Sequence, residues 1–219
     1  KTDKGEIAEL ASHLEINLVK EPIGKQDQYA AAFGGFNIFQ FNPDHTVSVS
    51  PVRLDFKQKS NFENHLLLFF TGIARNASSV LTEQKANTEK KLDTLKKMAD
   101  SVYEFRDKLI AEDFERLGKM LHEGWQLKRT LASNISNSVI DNLYETGLKA
   151  GAWGGKILGA GGGGCVLFIA PPEKKPVIRE AMKNAAAVHQ LTEFNEIPVH
   201  FVQSGVEVLM NNTANTNFL

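Results

Sequence analysis

The order of patterns along the chain predicts an α+β protein, with an antiparallel sheet packed on helices. Three observations carry this. Two strand-like segments, "AAFGGFNIFQF" and "HTVSVSPVRL", flank the turn "NPD" near the start. A mostly helical stretch from about Arg75 to Gly147 follows the apolar run "NHLLLFF". The chain then closes as strand, strand, helix, strand. Consecutive strands pair antiparallel across short turns, whereas a doubly wound parallel sheet needs alternating strands and helices.

Each element has a local reason. Ile7, Leu10, Ala11, Leu14 and Leu18 recur at helical spacing and predict a helix from about Lys4 to Val19. Pro22 and Gly24 end it. "NHLLLFF" reads as a buried strand because its apolar residues are continuous. The charge-rich "TEQKANTEKKLDTLKKMAD" reads as a solvated helix face. "WGGKIL" and "CVLFIA" are short strands, and "PPEKKPVIREAMKNAA" is a helix opened by prolines. "PVHFVQSGVEVL" reads as a last strand and "NNTANTNFL" as a frayed end.

Composition narrows the function classes. The 219 residues are 42% hydrophobic and 23% charged, with a formal net charge of -1. That balance offers no basic field for nucleic acid or anionic lipid, and the apolar runs are too short to span a membrane. The single cysteine, Cys165, excludes an internal disulfide and fits a reducing compartment, so a cytoplasmic location is expected. No signal peptide is visible, and Lys1 opens directly into the helical pattern. The six histidines are scattered without metal-ligand spacing.

Two glycine-bearing stretches carry the chemistry. Gly159 to Gly164 holds five glycines in six positions. Gly159, Gly161 and Gly164 satisfy G-x-G-x-x-G, but a dinucleotide fingerprint needs a helix next, and here "CVLFIA" followed by Pro171 and Pro172 makes a strand. No Gly-Lys-Ser or Gly-Lys-Thr follows, so a Walker loop is excluded. What is left is either a plain strand connection or a loop whose successive N–H groups cradle an anion. Upstream, Asp27 lies on a loop between two glutamines and beside Lys25, followed by a run of small residues and Gly34-Gly35. A turn or cap residue is the bland reading of such an Asp. A phosphotransferase needs a carboxylate near the accepting hydroxyl together with a backbone-lined phosphate site.

The pair "PIGKQDQYAAAFGGFN" and "GGKILGAGGGGCVLF" resembles the GHMP kinase superfamily. "LFFTGIARNASSVL" and "LKRTLASNISN" are similar to its D-glycero-D-manno-heptose 7-phosphate kinase subgroup. The resemblance implies a GHMP kinase fold, C-terminal portion, with a ferredoxin-like β/α arrangement. It implies that residues 1–60 are the remainder of an N-terminal domain and 61–219 the C-terminal domain. The activity implied is transfer of the ATP γ-phosphate, with Mg2+, to the anomeric hydroxyl of heptose 7-phosphate, giving a bisphosphate precursor of lipopolysaccharide or capsule. ATP and a sugar phosphate are then the small-molecule partners, and a homodimer is a further expected partner state. A kinase for another sugar, such as fucose, and a non-catalytic sugar-phosphate module stay open as alternatives.

By the same resemblance Asp27 is the catalytic base or orienter, and Glu15, twelve residues earlier, is the magnesium ligand. Gly34 and Gly35 line the sugar, with Gln28 beside them. Gly159, Gly161, Gly162 and Gly163 lie near the phosphates. Lys25, Arg75, Lys128 and Arg129 are cations for the substrate phosphate, with surface cations as the bland reading. The family's upstream "PxGxGLGSS"-type phosphate loop is not found; "ASSV" at Ala77 to Val80 lacks its glycines. These residues alone are therefore expected to bind ATP weakly and to expose strand edges.

Overall fold

The protein is described from a computed structural model covering residues 3–74 and 77–207. It divides into two compact units. One runs to Val52 and regains the chain from Val202; the other is Arg53–Phe201.

The first unit opens with α1 (Lys4–Ser12), capped by Asp3 in a reciprocal box with Glu6. The expected single helix to Val19 changes character after Ser12. His13–Leu18 forms a wider π-helical turn, with Val19 N–H donating to Leu14 O (2.9 Å). The Ser12 hydroxyl donates back to Ala8 O (2.7 Å), a bond that loosens the helix ladder at this point. Next comes α2 (Gln26–Phe33). This corrects two expectations: Asp27 is in the first turn of a helix rather than on a loop, and Ala31–Phe33 is helical rather than strand. Three consecutive alanines favour helix, and an acid in the first turn complements the helix dipole. β1 (Asn37–Phe41) and β2 (Val47–Pro51) pair antiparallel around the expected turn. Asp44 Oδ1 holds that turn by accepting from the Thr46 N–H (3.0 Å) and hydroxyl (2.6 Å). Ala8, Tyr29 and Ala32 form the small core between α1 and α2, with Phe33, Phe39, Val47 and Val49 against it.

The second unit contains α3 (Phe56–Asn64), β3 (Leu66–Phe70), α4 (Ala77–Ala86), α5 (Leu92–Ile110), α6 (Phe114–Arg129) and α7 (Ser138–Lys149). β4 (Gly154–Ile157), β5 (Cys165–Ile169), α8 (Lys175–Val188) and β6 (Asn195–Glu196) complete it. The sheet order is β4-β5-β3-β6, antiparallel throughout. Strand, helices, two strands, helix, strand in that order is the split β-α-β arrangement, so the expected ferredoxin-like pattern is present. Leu67, Phe69, Ile157, Val166 and Phe168 project from the sheet into the main core. Ile140, Leu143 and Tyr144 of α7 and Ile178 and Met182 of α8 meet them there. Gly118 of α6 and Gly154 of β4 touch closely enough that a Cβ on Gly154 would overlap the Gly118 carbonyl, which fixes α6 on the sheet.

The last strand lies ahead of where the sequence suggests: β6 ends at Glu196, and the expected strand from Pro198 is not a strand over its described residues. Ile197 N–H still donates to Leu68 O (2.8 Å), and among the described residues the ladder with β3 goes no further. Residues 197–207 are irregular, and the expected frayed end lies outside the described residues. No described helix is long and apolar enough to cross a membrane.

Candidate functional site

In the first unit, one depression of about 600 Å3 gathers Glu15, Asp27 and Gln28. Its apolar wall includes Ile7 and Ala11 of α1 and Ala31 of α2, and Gly205 and Val206 close it. The π-helical turn presents Glu15, since one extra residue per turn rotates the positions beyond Ser12. The start of α2 presents Asp27, in the positive end of the helix dipole.

Glu9 and Tyr29, which the sequence did not single out, hold α2 in place together with Lys25. Glu9 of α1 accepts from Lys25 Nζ at both carboxylate oxygens (2.8 Å each) and from the Tyr29 hydroxyl (2.6 Å). The Lys25 hydrogen bond, then that of Tyr29, holds the Glu9 carboxyl below its ordinary value. Burial, then the Glu9 bond, pushes the Tyr29 hydroxyl up to about 12. Lys25 is thus engaged by Glu9, a partner 16 residues away that no local pattern signals.

Gln28 is 7% exposed, and among the described residues its Oε1 accepts no hydrogen bond. A buried acceptor left unpaired is costly, so this amide is poised for a donor from a ligand. The two carboxylates also fit a magnesium ion. Mg2+ takes one or two carboxylates and fills its other positions with phosphate oxygens and water. Among the described residues no group of three or more His, Cys, Asp or Glu is assembled as an all-protein cage. Gly34 and Gly35, expected along the sugar, have a packing reason in this structure. Both have φ of +65°, and a Cβ on Gly34 would land on the backbone of Ser204 and Gly205.

In the second unit, the glycine run connects β4 to β5. Its backbone is pinned from two sides. Gly162 N–H donates to Ile135 O (2.6 Å) and Gly164 N–H to Ile73 O (2.9 Å). Thr71 donates to Gly164 O through both its N–H (2.9 Å) and its hydroxyl (2.8 Å). Lys128 Nζ donates to Gly159 O. Gly161 (φ +100°) and Gly163 press on the carbonyls of Ile135 and Ile73, where a Cβ would sit 2.6 and 2.5 Å from oxygen. Gly159 (φ +65°) and Gly164 (φ +78°) instead face open space. The N–H groups of Gly159, Ala160, Gly161 and Gly163 have no acceptor among the described residues. Free donors interleaved with pinned ones are what an anion-binding concavity requires. Cys165 closes the run, and burial raises its thiol, which disfavours a thiolate nucleophile.

Arg129, at the end of α6, is committed to Asp141 (2.9 Å), whose other oxygen accepts from the Ser136 hydroxyl (2.6 Å). Arg75 lies outside the described residues.

Residues 105–188 match the family described as GHMP kinases C terminal. Over 180 residues the chain is 33% identical to the D-glycero-alpha-D-manno-heptose 7-phosphate kinase of Campylobacter jejuni, covering 81% of this chain and 53% of that protein. Among solved structures it is similar to a D-glycero-D-manno-heptose 1-phosphate kinase from Bacteroides thetaiotaomicron. That match has a TM-score of 0.61 and 25% identity, over 92% of this chain and 54% of the other. It shares its fold with Lactococcus lactis galactokinase (TM-score 0.70, 17% identity, 94% of this chain and 61% of the other). The chain spans about half the length of the curated relatives it matches.

Proposed function

We propose that the chain, which is similar to GHMP kinases, serves an ATP-dependent sugar kinase whose sugar hydroxyl is activated in the depression bearing Glu15, Asp27 and Gln28. The finer reading is transfer of the γ-phosphate to the anomeric hydroxyl of a heptose 7-phosphate. The observation that carries the proposal is the depression itself, with two carboxylates and a buried amide whose Oε1 is unpaired among the described residues around one space.

Asp27 accepts the hydroxyl proton as the sugar oxygen bonds to the γ-phosphorus. The bond from that phosphorus to the ADP oxygen breaks, and ADP leaves with the electron pair. Gln28 Oε1 takes a hydrogen bond from a second sugar hydroxyl, which orients the ring. The Glu9–Lys25–Tyr29 cluster fixes α2, so Asp27 is in place before substrate arrives. Glu15 would hold Mg2+, which when bound offsets the negative charge of the phosphate oxygens. In the second unit, the free N–H groups of the glycine run suit a phosphate group.

The names of the relatives place the substrate's own phosphate differently, at the 7-position in one and the 1-position in the other. An ADP-release assay on the complete protein, against heptose 7-phosphate, heptose 1-phosphate, fucose, galactose and mevalonate, decides the substrate. The highest kcat/KM is expected with heptose 7-phosphate; a preference for any other assigns that one instead. In the same assay Asp27→Asn should lower kcat by about 10²–10⁴-fold with the sugar KM nearly unchanged, the usual effect of losing a general base. A kcat within twofold of wild type would remove Asp27 from the chemistry.

A further inference from the structure

A second cavity, of about 250 Å3, lies within the second unit, walled by α5, α6 and Lys156 of β4. Its walls are mostly apolar: Met98, Val102 and Phe105 of α5, and Met120 and Leu121 of α6. The polar residues that line it all carry hydrogen-bond donors: Trp125, Lys128, Lys156 and Ser101, whose hydroxyl also accepts. Among the described residues no carboxylate lines this space.

Two of these donors lack acceptors. Trp125 is 1% exposed, and among the described residues its Nε1–H has no partner. Lys156 is partly buried, and among the described residues it makes no ion pair or hydrogen bond. Burial lowers its pKa, which is the expected response of an ammonium held away from water with no anion beside it. Buried donors of this kind are normally satisfied, and two of them around one space call for a common acceptor.

The glycines of α6 point the same way. Gly118 has a packing reason, because a Cβ there would meet Trp153 at 2.7 Å. Gly124 lines the cavity, and a Cβ there would meet nothing within 4 Å. Glycine is disfavoured inside a helix, so an interior glycine with no protein neighbour leaves room for something else.

We propose that this cavity binds a small amphiphilic carboxylate, with its apolar chain between α5 and α6 and its carboxylate on Lys156 and the Trp125 N–H. At roughly 30 Å3 per small group, the volume of a water molecule in the liquid, the space takes a chain of about eight carbons. Lys128 already donates to Gly159 O, and the remaining ammonium and neutral N–H suit a monoanion better than a phosphate dianion, whose second charge would be buried unpaired. The site is separate from the depression around Asp27 and does not depend on the kinase reading.

The test is calorimetric titration of the 219-residue chain with sodium octanoate, 1-octanol and inorganic phosphate. Octanoate should bind saturably at one site. Octanol should bind at least about tenfold more weakly, the difference expected for losing a charge-assisted hydrogen bond. Phosphate should neither bind nor compete with octanoate. Lys156→Met should weaken octanoate about tenfold and leave octanol unchanged. Gly124→Leu fills the open space, favours the helix, and should abolish binding of both. Equal affinity for octanoate and octanol, competition by phosphate, no octanoate binding, or binding untouched by Gly124→Leu would each overturn the proposal. Thermal melting by circular dichroism confirms that the variants are folded. If Lys156→Met fails to fold, Gly124→Leu decides alone.

Discussion

Around Asp27 the protein holds its shape with side chains; around Gly159–Gly164 it does so mostly with backbone. In the first region a carboxylate, an ammonium and a phenol, Glu9, Lys25 and Tyr29, tie two helices together. In the second the carbonyls of Ile73 and Ile135 hold the chain, and the residues they hold have no side chains. A side-chain clamp tolerates changes of shape but depends on protonation. A backbone clamp is indifferent to pH in the ordinary range but cannot accept a Cβ where it closes. The two regions therefore fail under different perturbations.

The largest effect on folding is expected at the pinned glycines. Gly161→Ala forces an L side chain to φ +100° and places its Cβ 2.6 Å from the Ile135 oxygen. Strain and overpacking together should cost about 3 kcal/mol. Both tryptophans, Trp125 and Trp153, belong to the second unit, so urea unfolding followed by their emission reads this unit. A midpoint equal to wild type would mean that the run is not held by Ile135.

Gly34→Ala probes the other region with the same substitution. Its φ is +65°, and its Cβ would meet the backbone of Ser204 and Gly205. A loss of about 2–3 kcal/mol is expected in the first unit, from strain and overpacking, with tryptophan emission unmoved. Amide exchange in α2, measured beside the tryptophan signal, separates the two units. Faster exchange in both units would contradict the localisation.

Gly164→Ala sharpens the contrast within the run. The φ of +78° is unfavourable for alanine, but its Cβ enters open space. The expected loss is about 1–2 kcal/mol, from backbone strain alone. Urea midpoints for Gly161→Ala and Gly164→Ala in parallel test the order; equal losses would mean that the Ile135 contact adds nothing.

The smallest effect is the pH-dependent one. Hydrogen bonds hold the folded Glu9 carboxyl below its usual value of 4.5. Its stabilisation is therefore fully present above that value and is lost as pH falls through the lower folded pKa. The pair with Lys25 is partly exposed, so Glu9→Gln should cost under about 1 kcal/mol at pH 7. The difference from wild type should vanish in acid, as melting curves across pH 3–7 would show. A difference that persists unchanged at pH 3 would assign the effect to packing.

The sequence by itself determined the class and the order of elements. Apolar runs such as "NHLLLFF" and "CVLFIA" and the proline-opened helix are local signals, and each appears where the pattern places it. Antiparallel pairing followed because the strands are adjacent in sequence. Glu15, Asp27 and Gln28 could be picked out by their place in a motif, though not by geometry. Tertiary contacts decided the rest. Asp27 became helical because Tyr29 and Ala32 pack on α1, an energy summed over residues distant in sequence. The final strand stopped at Glu196, where its short pairing with β3 ends, a register set by residues more than 120 positions away. Lys25 was taken by Glu9, and Gly34 was claimed by residues that return to it about 170 positions later. Whether a glycine spares room for a ligand or for the protein's own backbone is invisible in a chain read locally. Only the atoms that arrive from elsewhere tell Gly161 from Gly164, or Gly118 from Gly124.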